Sequence, residues 1–287
     1  MLFKSNLLKE MVNDYIVDLE PAYNKEEASL LVFWLTEAFF KISRTQLVLQ
    51  PDYRLTESEM LKLHFAVKEL KQHTPIQYIV GEVSFLNLVL KVTPAVLIPR
   101  PETEELVDWI LRIESFQHQR ILDIGTGSGC IALAIKKEFP LSKVFGYDQS
   151  EAALTIAREN ALLNQLDVDF FKADMFQSHI IGLEPMDVII SNPPYVLEAE
   201  KALMKTNVHD YEPHTALFVA NDAPLTYYEA ILQQAILLLN QGGRIYFEIN
   251  ESMGNEMVQL MVNYGYWDVQ LRNDLNNKPR FIRGVKK

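Results

Sequence analysis

Asp187-Val188-Ile189-Ile190-Ser191-Asn192-Pro193-Pro194-Tyr195 begins as the apolar run that a buried parallel strand needs and stops at two prolines. Neither proline can donate a ladder hydrogen bond, so the strand must end near Asn192. A residue before proline is held in extended backbone, which aims the Asn192 amide and the following carbonyls out of the sheet edge. In open α/β sheets, ligands bind beyond the carboxyl ends of the strands, where this tetrapeptide falls. An amide, exposed carbonyls and an aromatic plane on a rigid turn suit a planar, neutral NH2 group.

Working outward, Ile121-Leu122-Asp123-Ile124-Gly125-Thr126-Gly127-Ser128-Gly129 reads as a strand, a glycine-rich turn and the start of a helix. The spacing is G-x-G-x-G rather than the G-x-G-x-x-G of dinucleotide binders. Tyr147-Asp148 closes the next strand, 23 residues after Gly125. A carboxylate there can accept both hydrogens of a ribose diol, or it can cap the following helix. Asp174-Met175-Phe176 ends a third strand, where Asp174 could accept from an adenine amine while Met175 or Phe176 covers the ring.

From Arg120 the chain alternates strand and helix. Strands are expected at 120–124, 143–147, 168–172, 187–191 and 243–249, and helices near 129–139, 151–164, 225–240 and 252–263. Gln241-Gly242-Gly243 reads as a glycine stop for the 225–240 helix. The final stretch, Trp267–Leu271 and Pro279–Val285, reads as a hairpin. The connection from Val196 to Ala223 is long enough to be functional, with a short helix expected near 198–204.

Ahead of the α/β region, residues 1–73 read as helices. Asn24 and Thr56 each precede a Glu at the third position, the signature of a capped helix start. The expected core stripes are Leu30, Leu31, Phe33, Trp34 and Ala38, then Leu61, Leu63, Phe65, Val67 and Leu70. A change to rough alternation at 81–93, with Asn87 at a turn, marks a β-hairpin. Ile98-Pro99-Arg100-Pro101-Glu102-Thr103-Glu104 is a proline-stiffened entry into a helix running to about Ile113. The expected organisation is a helical bundle at 1–80, a hairpin linker at 81–94 and an α/β domain at 95–287.

Net charge is −11, and nine Lys/Arg stand against eleven Asp/Glu in residues 1–80, so the remainder carries −9. A large nucleic-acid footprint leans on clustered cations, and no basic domain hides behind this average. The single cysteine, Cys130, leaves no disulfide framework and fits a reducing cytoplasm; it reads as helix packing. The first ten residues are broken by charge too early for a signal-peptide core, and no apolar run is long enough to span a bilayer. His209 and His214 have no further ligand pattern, so no metal site is expected.

These motifs resemble the class I S-adenosyl-L-methionine-dependent methyltransferases over roughly residues 95–287. The Asn192-Pro193-Pro194-Tyr195 tetrapeptide narrows the likeness to enzymes acting on planar amines or amides. The Ile98–Glu104 run, the helical region before it, and Tyr211-Glu212-Pro213 with Ala216-Leu217 after it resemble the HemK/PrmC-type release factor glutamine methyltransferases over nearly the whole chain. The resemblance implies a Rossmann-like, mostly parallel seven-stranded sheet with a smaller helical domain that recognises a protein. It implies S-adenosyl-L-methionine held by Gly125, Thr126, Gly127, Ser128, Gly129, Asp148, Asp174, Met175 and Asn192. Members often carry Trp where Met175 stands, which leaves the stacking role to Met175 or Phe176. The substrate implied is the glutamine of the Gly-Gly-Gln loop in peptide chain release factors.

That amide would be held by Asn192, Pro193, Pro194 and Tyr195. Asn192 and the Pro193 carbonyl would accept its two hydrogens, and Tyr195 would pack on its plane, making Asn192, Pro193 and Tyr195 the catalytic set. No general base is required. The alternatives are a ribosomal-protein glutamine, which the bracket would hold equally well, and the exocyclic amine of adenine in DNA or RNA, which the negative charge disfavours. A cytoplasmic monomer without stable nucleic-acid or membrane binding is expected.

Overall fold

The computed structural model describes residues 5–177, 182–203 and 206–287. In chain order it forms α1 (Leu8–Leu19), α2 (Lys25–Phe40), α3 (Arg44–Leu49), α4 (Glu57–Leu70), α5 (Ile76–Val80), β1 (Glu82–Phe85), β2 (Leu88–Lys91) and α6 (Pro101–Ile113). There follow β3 (Arg120–Ile124), α7 (Cys130–Glu138), β4 (Lys143–Asp148), α8 (Glu151–Asn164), β5 (Asp169–Lys172), β6 (Met186–Ser191), β7 (Val196–Leu197), α9 (Thr206–His209) and β8 (Phe218–Val219). The chain ends with α10 (Thr226–Leu238), β9 (Leu239–Glu248), α11 (Gly254–Asn263), β10 (Tyr266–Asn273) and β11 (Pro279–Lys286). It divides into two compact units, Met1–Gly81 with Lys205–Tyr211, and Glu82–Met204 with Glu212–Lys287.

The first unit is helical. Asn24 accepts from the Glu27 amide, and Thr56 with Glu59 closes a full capping box, so both expected helix starts form. Ser43 and Gln46 close another that the sequence reading passed over. The buried stripes differ from those expected. In α2 the core is built from Ala28, Val32, Leu35 and Thr36, while Leu30 is 70% and Trp34 42% exposed. In α4, Leu63, Ala66, Val67 and Leu70 point inward and Phe65 is 55% exposed. Helix α2 is apolar nearly all round, so its own pattern does not single out a face; packing against α1 and α4 does. Two tyrosines lock the unit: Tyr23 donates to the Leu70 carbonyl at 2.8 Å and Tyr211 to the Gln72 carbonyl at 2.6 Å.

The second unit is built on a seven-stranded sheet in the order β10-β11-β9-β6-β3-β4-β5. The five strands β9, β6, β3, β4 and β5 are parallel neighbours, and β10 and β11 add an antiparallel edge. Both faces are covered, which is why the central strands read as unbroken apolar runs. Ile121, Val188 and Ile190 pack with α6 and α7, whereas Leu122, Ile124 and Ile189 pack with α10 and α11. The β1–β2 hairpin, expected as a linker, sends Phe85, Leu88 and Leu90 into the core shared by α6 and α7.

Helix α10 does not stop on its glycines. It ends at Leu238 with an extended Leu239, and Gly242 and Gly243 lie inside β9, where the pairing with β6 shifts register. Lys286 caps the helix instead, donating to the carbonyls of Ala235, Ile236 and Leu239 at 3.3, 2.6 and 2.6 Å. Of the helix expected near 198–204, a 3-10 turn forms at Glu198–Leu203, and Met204 lies outside the described residues.

Candidate functional site

After β3 the chain continues to β4 on one side, and β6 enters on the other, so the β3–β6 boundary is a topological switch point. Crevices at the carboxyl ends of such strands are where α/β sheets bind ligands. Ile124 lies in register with Ser191, whose hydroxyl donates to the Ile124 carbonyl at 2.7 Å. This brings the glycine turn that starts at Gly125 beside the tetrapeptide that starts at Asn192.

The turn is fixed from behind. The Gly125 and Thr126 amides both donate to the Tyr147 carbonyl at 3.0 Å. Gly125 and Gly127 have φ of 70° and 54°, a left-handed backbone that side chains resist. Asp123, fully buried, accepts from the Thr126 hydroxyl at 2.6 Å and the Ala132 amide at 3.3 Å. Burial pushes its carboxyl up to about 7, against those two hydrogen bonds. Asn160 ties the turn to the hairpin, donating to the Ser128 and Lys91 carbonyls at 2.9 and 3.0 Å and accepting from the Lys91 amide at 2.6 Å.

Asp148 sits at the mouth of the neighbouring strand. Its Oδ2 accepts from the Gly127 amide at 3.0 Å and its Oδ1 from the Ser150 amide at 2.9 Å. Burial raises its pKa, opposed by these backbone donors. The cap of α8 is Ser150, which accepts from the Ala153 amide, so Asp148 is not the helix cap. Asp174 accepts from the Phe176 amide at 2.9 Å, turning the chain so that Phe176 meets Tyr227 at a ring separation of 5.3 Å.

Of the expected cofactor residues, Gly125, Gly127, Asp148, Asp174, Met175 and Asn192 line one cavity of about 260 Å³, with Pro194. Thr126, Ser128 and Gly129 stand behind it: the first two are buried, and Gly129 caps α7 against Phe170. Pro193, buried, and Tyr195, half-buried, lie outside the lining, and the Tyr195 hydroxyl donates to Glu248 Oε1 at 2.9 Å. Asn192 donates its Nδ2 to the Thr103 hydroxyl at 3.1 Å, and Thr103 donates to Glu248 Oε2 at 2.7 Å. Burial lifts the Glu248 carboxyl, which hydrogen bonds from Thr103 and Tyr195 and the Arg280 charge oppose.

The cavity also uses residues that the sequence reading did not name for the site, although Pro213, Thr215 and Ala216 fall in the 196–223 connection it expected to be functional. Ala95–Leu97 form one rim and Pro213, Thr215 and Ala216 another. Glu212 staples the two, accepting from the Ile98 amide at 3.2 Å and from Arg100 at 2.6 Å. Burial raises the Glu212 pKa and the Arg100 charge opposes it. The quoted Ile98–Glu104 and Tyr211–Pro213 runs were the available signal; that they meet was not. A nucleoside fits this donor set: a carboxylate between backbone amides for a diol, and the Met175, Phe176 and Tyr227 side chains for a flat base.

Comparison with known proteins matches residues 10–81 to the PrmC N-terminal domain and residues 105–211 to the methyltransferase small domain. A methyltransferase from Pyrococcus furiosus shares the fold, with a TM-score of 0.52 and 19% identity over 80% of this chain and 99% of that one. The release factor glutamine methyltransferase of Bacteroides thetaiotaomicron is 39% identical, covering 92% of this chain and 95% of the relative. That of Flavobacterium psychrophilum is 40% identical over 281 residues, 96% of this chain and 98% of the relative. Such identity across both units leaves one assignment: the chain belongs to the release factor glutamine methyltransferase family.

Proposed function

We propose that this chain transfers a methyl group from S-adenosyl-L-methionine to the side-chain amide nitrogen of the glutamine in the Gly-Gly-Gln motif of peptide chain release factors. The observation that carries the reading is the placement of Asn192 and Pro194 on the same cavity wall as Gly125, Gly127 and Asp148. The cofactor supplies an electrophilic methyl carried on a sulfonium. Asp148 would hold the ribose diol and Asp174 with Met175, Phe176 and Tyr227 the adenine, with the Gly125–Gly127 backbone allowing close approach.

An amide nitrogen is a poor nucleophile because its lone pair is delocalised, and its proton is too weakly acidic to remove beforehand. Asn192 Oδ1 and the Pro193 carbonyl accept the two amide hydrogens and so face the nitrogen towards the methyl. They also stabilise positive charge developing on it. Tyr195, its hydroxyl anchored on Glu248, packs on the amide plane. No base is needed before transfer, because the nitrogen becomes acidic once methylated.

The helical unit captures the release factor, a role supported by its match to the PrmC N-terminal domain. No helix among the described residues is long and apolar enough to cross a membrane. The enzyme works as a cytoplasmic monomer, and its net charge of −11 supports the absence of stable nucleic-acid binding.

Radiolabel transfer to purified release factor, ribosomal proteins and adenine-containing nucleic acid, offered side by side, tests the substrate. Label should appear on the release factor and vanish when its loop glutamine is replaced. Label on nucleic acid alone refutes the reading. Asn192→Ala should lose about 100-fold or more in turnover at saturating cofactor.

A further inference from the structure

Glu248 is a costly residue to bury, and it lies wholly inside the second unit at the carboxyl end of β9. Phe247 is in register with Ser191, so Glu248 sits beside Asn192 at the sheet edge. Both carboxylate oxygens are engaged with groups of the bracket or one step from it. Oε1 accepts from the Tyr195 hydroxyl at 2.9 Å and Oε2 from the Thr103 hydroxyl at 2.7 Å. The Tyr228 hydroxyl, at 3.1 Å from the Glu248 carbonyl, fixes the backbone there.

We infer that Glu248 is a positioning residue which, acting through Thr103, sets which way the Asn192 side-chain amide faces. The logic is one of hydrogen-bond direction. A carboxylate only accepts, so Thr103 must donate its single hydroxyl proton to Glu248. The Thr103 oxygen can then only accept from Asn192, which forces the NH2 end of that amide towards Thr103 at 3.1 Å. The Asn192 oxygen is thereby presented on the other side as an acceptor. Were the group at 248 to donate to Thr103 instead of accepting from it, the Thr103 proton would be released to bond the Asn192 oxygen, and the amide would turn over. Asn192 would then offer hydrogens to a substrate NH2 that itself has only hydrogens to give.

The inference rests on the reading of Asn192 as the amide acceptor, and the test separates the two. Full-length Glu248→Gln, Thr103→Val, Thr103→Ser and Asn192→Ala proteins are compared with wild type for kcat and KM on release factor and for cofactor affinity by calorimetry. Thr103→Val should lower kcat by about 100-fold, the effect of misplacing a reacting group by roughly an ångström, with cofactor affinity unchanged, and Glu248→Gln should lower it less, because the glutamine oxygen can still accept from Thr103 while its NH2 turns to Tyr195. Thr103→Ser, which restores the hydroxyl, should recover most of the loss. Wild-type kcat in Thr103→Val overturns the relay, as does a kcat loss matched by lost cofactor affinity or one that serine fails to rescue. If Glu248→Gln does not fold, Thr103→Val decides the matter. Asn192→Ala inactive beside a fully active Thr103→Val sinks the relay alone; a fully active Asn192→Ala sinks the functional reading and the relay with it.

Discussion

Replacing Asp123 with Asn should gain stability relative to wild type as pH rises, although it alters a residue at the heart of the glycine turn. Asp123 Oδ2 holds the Thr126 hydroxyl and the Ala132 amide, while Oδ1 is buried and has no hydrogen-bond partner. Burial raises the carboxyl from 3.8 to about 7. A folded-state pKa above the unfolded one means that the native protein binds a proton the unfolded chain has released. Stability from this residue is therefore complete below the unfolded pKa and is lost as pH rises through the folded one. Asn keeps the acceptor for Thr126 and Ala132 and cannot ionise.

Each unit of pKa difference is worth about 1.4 kcal/mol, so the advantage of Asn over Asp should grow by about 3 kcal/mol between about pH 5 and about pH 8. Any fixed cost of the new NH2 group cancels in that difference. Urea unfolding of both proteins without added cofactor, at the two pH values, measures it. A stability difference that is the same at both pH values would refute the claim that burial strains this carboxylate.

Two further substitutions probe the scaffold. A Cβ at Gly146 would lie 2.7 Å from the Phe170 ring and 2.9 Å from Thr126 Oγ1, so Gly146→Ala should cost about 1–3 kcal/mol, read as a lower urea midpoint. An unchanged midpoint would mean that Phe170 moves aside freely. Asn160→Ala leaves the Lys91 amide and carbonyl and the Ser128 carbonyl without their partner, and should cost about 3 kcal/mol. Its effect should extend to weaker cofactor binding in calorimetry, because the turn loses its brace; cofactor affinity at the wild-type level would show that the brace serves folding alone.

The strand and helix segments of the second unit were legible because their signals are short-range. Alternation, proline stops and caps act within a few residues, and β3, β6 and α8 form where those signals put them. The same was true of the Asn24 and Thr56 caps. In α4 the expected Leu63, Val67 and Leu70 are buried and Phe65 is not; the stripe of α2 was not legible, because Leu30 and Trp34 are as apolar as the residues that were buried instead. Which face turns inward depends on neighbouring helices, a choice no single helix encodes when its hydrophobicity runs all round. The stop of α10 was misread for a related reason. Gly242 and Gly243 looked like a local terminator, but Lys286, 47 residues beyond Leu239, satisfies the helix carbonyls.

What the sequence determined by itself was the chemistry carried on contiguous residues: a glycine turn after one strand, acids after the next two, and an amide locked by prolines after the fourth. Backbone constraint at proline and glycine is a property of the residue, so these motifs keep their shape wherever the chain goes. Only the tertiary structure decided which of them share a wall, that Pro193 and Tyr195 lie outside the cavity lining, and that Glu212 draws its two rims together. It also decided that Thr103 and Glu248, 145 positions apart, meet behind Asn192. Such meetings are fixed by strand order and register, which arise from the burial of both sheet faces at once and leave no local trace in the chain.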